Sequence, residues 1–121
     1  MQNRKGLRIY VAGPYTAESE AQIFDNVMKV LDAGLNLWKK VHYPYIPHLT
    51  HFVDLRAQEK GIPMKWEDYM EWDKVWLEFC DALLFLDNSK GAKRELEYAK
   101  KLGKTIYFDI ADVPSISNNW R

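Results

Sequence analysis

Apolar and polar positions along the chain alternate between two periods. "LRIYVAG", from Leu7 to Gly13, packs β-branched and aromatic residues into a short run closed by Gly13-Pro14, which predicts a buried strand and then a turn. From Ser19 to Lys40 the residues Ile23, Val27, Val30, Leu31, Leu35 and Trp38 recur at helical spacing, with Gly34 a weak point near the end. "HYPYIP" (42 to 47) predicts a short second strand whose prolines lie at its margins. "KWEDYMEWDKVWLEFC" (65 to 80) predicts a helix and "DALLFLD" (81 to 87) a fully apolar strand. "DNSKGAKRELEYAKKLGK" (87 to 104) supplies a strand end, a turn and the next helix, and "TIYFDI" (105 to 110) the last strand. The piece from His48 to Gly61 has no clear period and predicts a long loop, with at most a helical turn in it; long loops in compact domains often carry function.

Helices alternating with short apolar strands imply parallel strands joined by right-handed crossovers. The expected fold is α/β: one domain over residues 1–121, a doubly wound, Rossmann- or flavodoxin-like parallel sheet of four to five strands with helices on both faces. In such sheets ligands bind beyond the carboxyl ends of the strands, where strand order reverses. That directs attention to "GPYT", "PHLTH" and "DNSKG". The polar tail from Asp112 to Arg121 is expected to be irregular or to lie on a neighbouring subunit.

Composition narrows the classes. A chain of 121 residues, 47% hydrophobic and 14% aromatic, can close one core but not two ordinary ones. Seventeen basic residues balance seventeen acidic ones, with no basic run interleaved with aromatics, so no nucleic-acid polymer is expected as a partner. A single cysteine, Cys80, excludes an internal disulfide, and no run reaches membrane-spanning length or resembles a signal sequence. A cytoplasmic protein with no membrane partner is expected.

Two carboxylates break the pattern. On a helical wheel of about 100° per residue, Ala92, Leu96, Ala99, Leu102 and Gly103 form an apolar stripe, and Glu95 falls inside it. Glu97 falls on the opposite side with Lys93, Lys100 and Lys101, a solvated charge pattern. In the preceding helix, Trp66, Tyr69, Met70, Trp76, Leu77 and Cys80 share one face, and Asp73 lies in the middle of them. An unpaired buried carboxylate costs several kcal/mol or takes a raised pKa. Asp73 and Glu95 are therefore either held by a serine, a tyrosine or a backbone amide as structural groups, or they belong to an active site at the end of the sheet.

Other candidates have plain structural readings beside the functional ones. Ser89 and Gly91 open a helix, where free amides and the helix dipole favour an anion, and they also fit an ordinary cap and turn. His48, His51 and Asp54 form H-x-x-H-x-x-D, three potential metal ligands with no evident fourth, and no metal is expected. Trp66, Trp72 and Trp76 read as core or subunit-interface residues, and Cys80 as a small buried one.

Paired carboxylates suit glycosidic cleavage, in which one acts as nucleophile and the other assists the leaving group. With "RIYVAGPYT", a tryptophan-rich helix carrying Asp73 and "CDALLFLDNSKGAKRELEYAKKLGK", the chain resembles the nucleoside 2-deoxyribosyltransferase superfamily from about Arg8 to Phe108, including its nucleotide N-hydrolase branch. The resemblance implies Glu95 as nucleophile, Asp73 as the assisting acid and Tyr10 as a tyrosine in contact with the nucleophile. It implies that Gly13, Pro14 and Tyr15 surround the sugar and its 5′ group, that Ser89 and Gly91 hold a 5′-phosphate, and that His48 lies near the base. Asp87 is a further candidate at the base, and Ser115, Ser117 and Asn118 are candidates for a tail that reaches a neighbour's site. A phosphoribohydrolase of the lysine-decarboxylase-like type is disfavoured, because its glycine-rich "PGGxGT" loop is absent.

The function expected from sequence is hydrolysis of the N-glycosidic bond of a (2′-deoxy)nucleoside or its 5′-monophosphate through a glutamyl glycosyl-enzyme, with no cofactor. The alternatives are a transferase that exchanges bases and a non-catalytic nucleotide-binding regulatory domain. Several tryptophans on one helix predict a homodimer or a dimer of dimers.

Overall fold

The computed structural model describes residues 6–87 and 89–116. Four strands, β1 (Arg8–Ala12), β2 (Tyr43–Tyr45), β3 (Ala82–Phe85) and β4 (Thr105–Tyr107), form one parallel sheet in the order β2-β1-β3-β4. Between them run α1 (Glu20–Lys39), α2 (Thr50–Glu59), α3 (Trp66–Glu78) and α4 (Lys90–Lys101). The architecture is the expected single-domain, Rossmann-like α/β fold. No helix among the described residues is long and apolar enough to cross a membrane.

Alternation along the two central strands builds a core on each face. Ile9, Val11, Ala82 and Leu84 pack with Val30, Ala33 and Leu37 of α1. Tyr10, Ala12, Leu83 and Phe85 pack with Leu77 of α3 and Ala92 and Ala99 of α4. The strands read as continuous apolar runs because both faces are covered. Strand order reverses at β1, which passes to β2 on one side and adjoins β3 on the other.

Several local expectations are corrected. The buried stripe of α1 is Val27, Val30, Ala33, Gly34 and Leu37, whereas Leu35 and Trp38 are exposed. Gly34 is not a weak point: a Cβ there would lie 2.5 Å from Ile46 Cδ1, so the glycine lets the helix approach the chain just after β2. Pro44 sits in the middle of β2 rather than at a margin, which an edge strand tolerates because it is paired on one side only. Residues 48–61 are not a loop; a single 3-10 turn (Pro47–Leu49) leads straight into α2. The last strand ends at Tyr107, and Ile110–Asp112 forms a second 3-10 turn.

The tail folds onto its own chain as far as it is described. Ile110 and Val113 join the core beneath α1, and the amide of Ile116 donates to the Lys40 carbonyl at 3.0 Å. Ser115 thus lies on the segment docked at the amino-terminal edge of the sheet, while Ser117 and Asn118 lie outside the described residues.

Candidate functional site

At the carboxyl ends of β1 and β2 a cleft of about 770 Å³ opens between α2, α3 and the start of α4. Asp73 and Glu95 both line it, as do Gly13, Pro14, Tyr15, His48, Ser89 and Gly91. Eight of the ten residues singled out from the sequence therefore share one cavity. Tyr10 is fully buried and reaches it through its hydroxyl, which donates to Glu95 Oε2. Asp87 is exposed, outside the lining, and forms an ion pair with Lys29 of α1 at 3.6 Å.

Strand register explains how the two carboxylates are held. Tyr10 on β1 and Tyr45 on β2 are direct partners across the ladder, so both side chains leave the same face, with ring centroids 5.4 Å apart. The Tyr45 hydroxyl donates to Asp73 Oδ1 at 3.3 Å, as Tyr10 does to Glu95. Trp76 stacks on Tyr45 at 5.9 Å and 17°, fixing its plane from the outer side. Two neighbouring tyrosines thus each serve one acid on neighbouring helices.

Among the described residues no cation forms an ion pair with either acid. Asp73 is 4% exposed, and burial pushes its carboxyl up to about 7 against the opposing effect of the Tyr45 hydrogen bond. Burial pushes Glu95 up to about 8; the Tyr10 hydrogen bond opposes this, and the charge of Asp73 adds to it. The pair therefore holds protons at neutral pH that ordinary carboxyls have lost. Glu97 is exposed and pairs with Lys100 at 3.6 Å, so the wheel separates the two glutamates correctly. Glu95 also borders a smaller groove of about 400 Å³ between α3 and α4, on the far side of Met70.

The rest of the cleft is built from short contacts. Ser89 is the N-cap of α4: its Oγ accepts from the Ala92 amide at 3.0 Å, which leaves the hydroxyl proton free to donate into the cleft. His48 is 4% exposed, and its Nε2 lies 3.1 Å from the Gly13 carbonyl and 3.0 Å from that of Pro14. Two carbonyls require a donor, so Nε2 carries the proton and the ring ties down the loop after β1. Desolvation holds its pKa below the usual histidine value, which keeps this neutral tautomer. Its Nδ1 is buried without a partner among the described residues.

The H-x-x-H-x-x-D residues divide three tasks. His48 fastens the first loop, His51 Nδ1 lies 2.8 Å from the Tyr15 hydroxyl, and Asp54 accepts from the Tyr69 hydroxyl at 2.8 Å. Among the described residues no group of three His, Cys, Asp or Glu side chains is placed to hold a metal ion. Trp66, Trp72 and Trp76 are not core residues; they are 38%, 42% and 51% exposed, and Trp66 lines the cleft with the Arg94 guanidinium 4.9 Å above its ring. Sequence patterning did not reveal Tyr45, Asp54, Tyr69 or Met70. Asp54 entered only as a possible metal ligand, Tyr69 and Met70 only as members of the face around Asp73, and Tyr45 not at all.

The chain belongs to the family described as a domain of unknown function (DUF4406), which it matches over residues 7–108, from the start of β1 to just past β4. No match was found among curated proteins.

Proposed function

Because the family's description assigns no activity, we propose from the cleft itself that the protein cleaves the N-glycosidic bond of a nucleoside or nucleoside 5′-monophosphate, a 2′-deoxy one by the sequence resemblance. The observation that carries this reading is the pair of tyrosine-bonded carboxylates, Asp73 and Glu95, sharing one cleft. Glycosidic cleavage needs this division of labour, one carboxylate to attack and one acid to protonate the leaving group.

In the proposed reaction the Glu95 carboxylate attacks C1′ while the bond from C1′ to the base nitrogen breaks. Its electron pair goes to the base, which takes the proton of Asp73. The Asp73 carboxylate then removes a proton from water, the water oxygen attacks C1′ of the glycosyl ester, and Glu95 leaves as a carboxylate. The productive form of the pair has its single proton on Asp73 and its charge on Glu95. Burial raises both carboxyls and so opposes the charge on Glu95. The Tyr10 hydroxyl counteracts this by donating to Glu95 and favouring its ionised state.

Aromatic and thioether side chains around the acids, among them Tyr15, Trp66 and Met70, supply the flat apolar walls a base needs. The α4 N-terminus with Ser89 supplies donors for an anion such as a 5′-phosphate. The exposed Trp72, Trp76 and Phe79 support a second copy packed against this side of the molecule; a monomer by light scattering at micromolar concentration would remove that part.

The test is incubation with a panel of nucleosides and monophosphates, read by chromatography for free base. Released base with free sugar supports the hydrolase. Exchange only when a second base is added identifies a transferase, and measurable binding with unaltered nucleosides identifies a non-catalytic nucleotide-binding domain.

A further inference from the structure

We propose that Asp54 is a specificity-determining residue that selects nucleosides whose base presents an amino group, as adenine and cytosine do, over those presenting an oxygen there, as hypoxanthine and uracil do. The inference rests on the proposed reading of the cleft as a nucleoside site with the base lying at Asp73.

Asp54 comes from α2, the helix without a hydrophobic signature, and it lines the cleft. Its Oδ1 accepts from the Tyr69 hydroxyl at 2.8 Å and its Oδ2 accepts from Gln58 Nε2 at 2.9 Å, so the carboxylate is held from two sides. None of the ion pairs among the described residues involves it. An ionised carboxylate offers about four acceptor positions, and two of these are occupied. The remaining lone pairs form a fixed, acceptor-only surface on the wall of the cavity. Partial desolvation of Tyr69, reinforced by its bond to Asp54, pushes that phenol up to about 12, so it remains a donor to Asp54 throughout the neutral range.

Position along α3 says which part of the substrate this surface meets. Tyr69 and Asp73 are four residues apart on one helical face, about 6 Å along the axis at 1.5 Å per residue. That separation is comparable to the span of a nucleobase ring. With the ring nitrogen of the leaving base at Asp73, its far edge falls beside Tyr69 and the Asp54 carboxylate that Tyr69 holds. An amino group at that edge donates to Asp54. A carbonyl oxygen at the same place sets acceptor against acceptor and leaves both without a partner, the kind of mismatch by which polar sites discriminate strongly.

The test compares deoxyadenosine with deoxyinosine and deoxycytidine with deoxyuridine, on the wild type and on Asp54→Asn. The wild type is expected to favour the amino member of each pair by roughly 10- to 100-fold in kcat/KM. Asp54→Asn is expected to bring both ratios within a few-fold of unity, because an amide turns either its oxygen or its NH₂ to the base. Tyr69→Phe keeps the carboxylate but releases one of its two restraints, so its ratios should fall between. Calorimetry of adenine, hypoxanthine, cytosine and uracil with Glu95→Gln reads the same preference without turnover. If no nucleoside is cleaved but adenine and cytosine still bind better in an Asp54-dependent way, the catalytic reading fails and this inference stands. An equal loss on all four nucleosides in Asp54→Asn, or base binding indifferent to the amino group, would overturn it.

Discussion

His42 and His48 flank β2 at its two ends, and the fold treats them in opposite ways. At the amino-terminal end His42 is fully buried with both nitrogens used: Nδ1 accepts from the Leu7 amide at 2.9 Å and Nε2 donates to the Pro114 carbonyl at 2.5 Å. Around it Lys40 Nζ donates to the Ile110 and Val113 carbonyls at 2.9 and 2.7 Å, and Arg8 pairs with Asp81 at 3.1 Å. The turn is held so firmly that Val41 occupies the left-handed region at φ 71°, a strain of order 1–3 kcal/mol for such a residue. At the carboxyl-terminal end, among the described residues, His48 keeps an unpartnered nitrogen and Asp73 and Glu95 form no ion pair. Folding satisfies one end completely and leaves polar capacity unused at the other. Conflicts of this kind persist where a ligand supplies what the fold does not.

The two ends also titrate with opposite sign. The Arg8 guanidinium holds the Asp81 carboxyl below its ordinary value, so its contribution to stability is present at neutral pH and is lost on acidification through the folded pKa. Asp73 and Glu95 are raised, so the folded state keeps protons that the unfolded chain has released. Their contribution is present below about pH 4 and is lost as pH rises through about 7 and 8.

Removing Glu95 should separate the ends most sharply. Glu95→Gln is expected to lower turnover by several orders of magnitude, because the covalent route is gone. Its thermal midpoint, measured against the wild type at pH 5 and pH 8, should rise relative to the wild type on going to pH 8, since the neutral amide never ionises. A constant difference across that range would assign the titration elsewhere. Asp73→Asn comes next, with a loss of about 10²–10⁴-fold, greatest for substrates whose base is a poor leaving group; a loss independent of the base would remove its role as acid.

At the closed end the effect should fall on stability alone. His42→Ala strands the Leu7 amide and the Pro114 carbonyl, each orphaned group costing about 1–3 kcal/mol. Denaturant titration should show that loss while activity per folded molecule is retained; a comparable fall in turnover would mean the two ends are coupled. A smaller and more selective change is expected at the α4 cap. Ser89→Ala should weaken monophosphate use by about 1.5–3 kcal/mol, the value of a hydrogen bond to a charged group, and spare nucleosides. Equal loss for both would confine Ser89 to the cap of α4. Smallest of all is Glu97→Ala, with a change in stability within about 0.5 kcal/mol and no change in turnover, since its side chain faces solvent beside Lys100.

The reach of sequence reasoning follows the same division. The parallel sheet was legible because both faces of β1 and β3 are covered and their strands read as unbroken apolar runs. Asp73 and Glu95 were legible because each contradicts an otherwise regular helical stripe. The helix α2 was not, because it buries only Ala57 while Phe52, Val53 and Leu55 remain exposed, so no period marks it. Asp54 was hidden with it and surfaced only as part of a metal-like spacing. The tyrosines at Asp73 and Glu95 depend on cross-strand register, which a linear pattern does not carry. Gly34 looked like a helix defect because the side chain it makes room for, Ile46, comes from the next element.

The most direct measurement is peptide mapping by mass spectrometry after incubation with a 2′-fluoro nucleoside, whose glycosyl-enzyme breaks down slowly. The wild type should gain the mass of the fluorinated sugar on the peptide containing Glu95, with one equivalent of base released and no label on Glu95→Gln. A label on another residue, or base release without any covalent adduct, would contradict the assignment of Glu95 as the nucleophile.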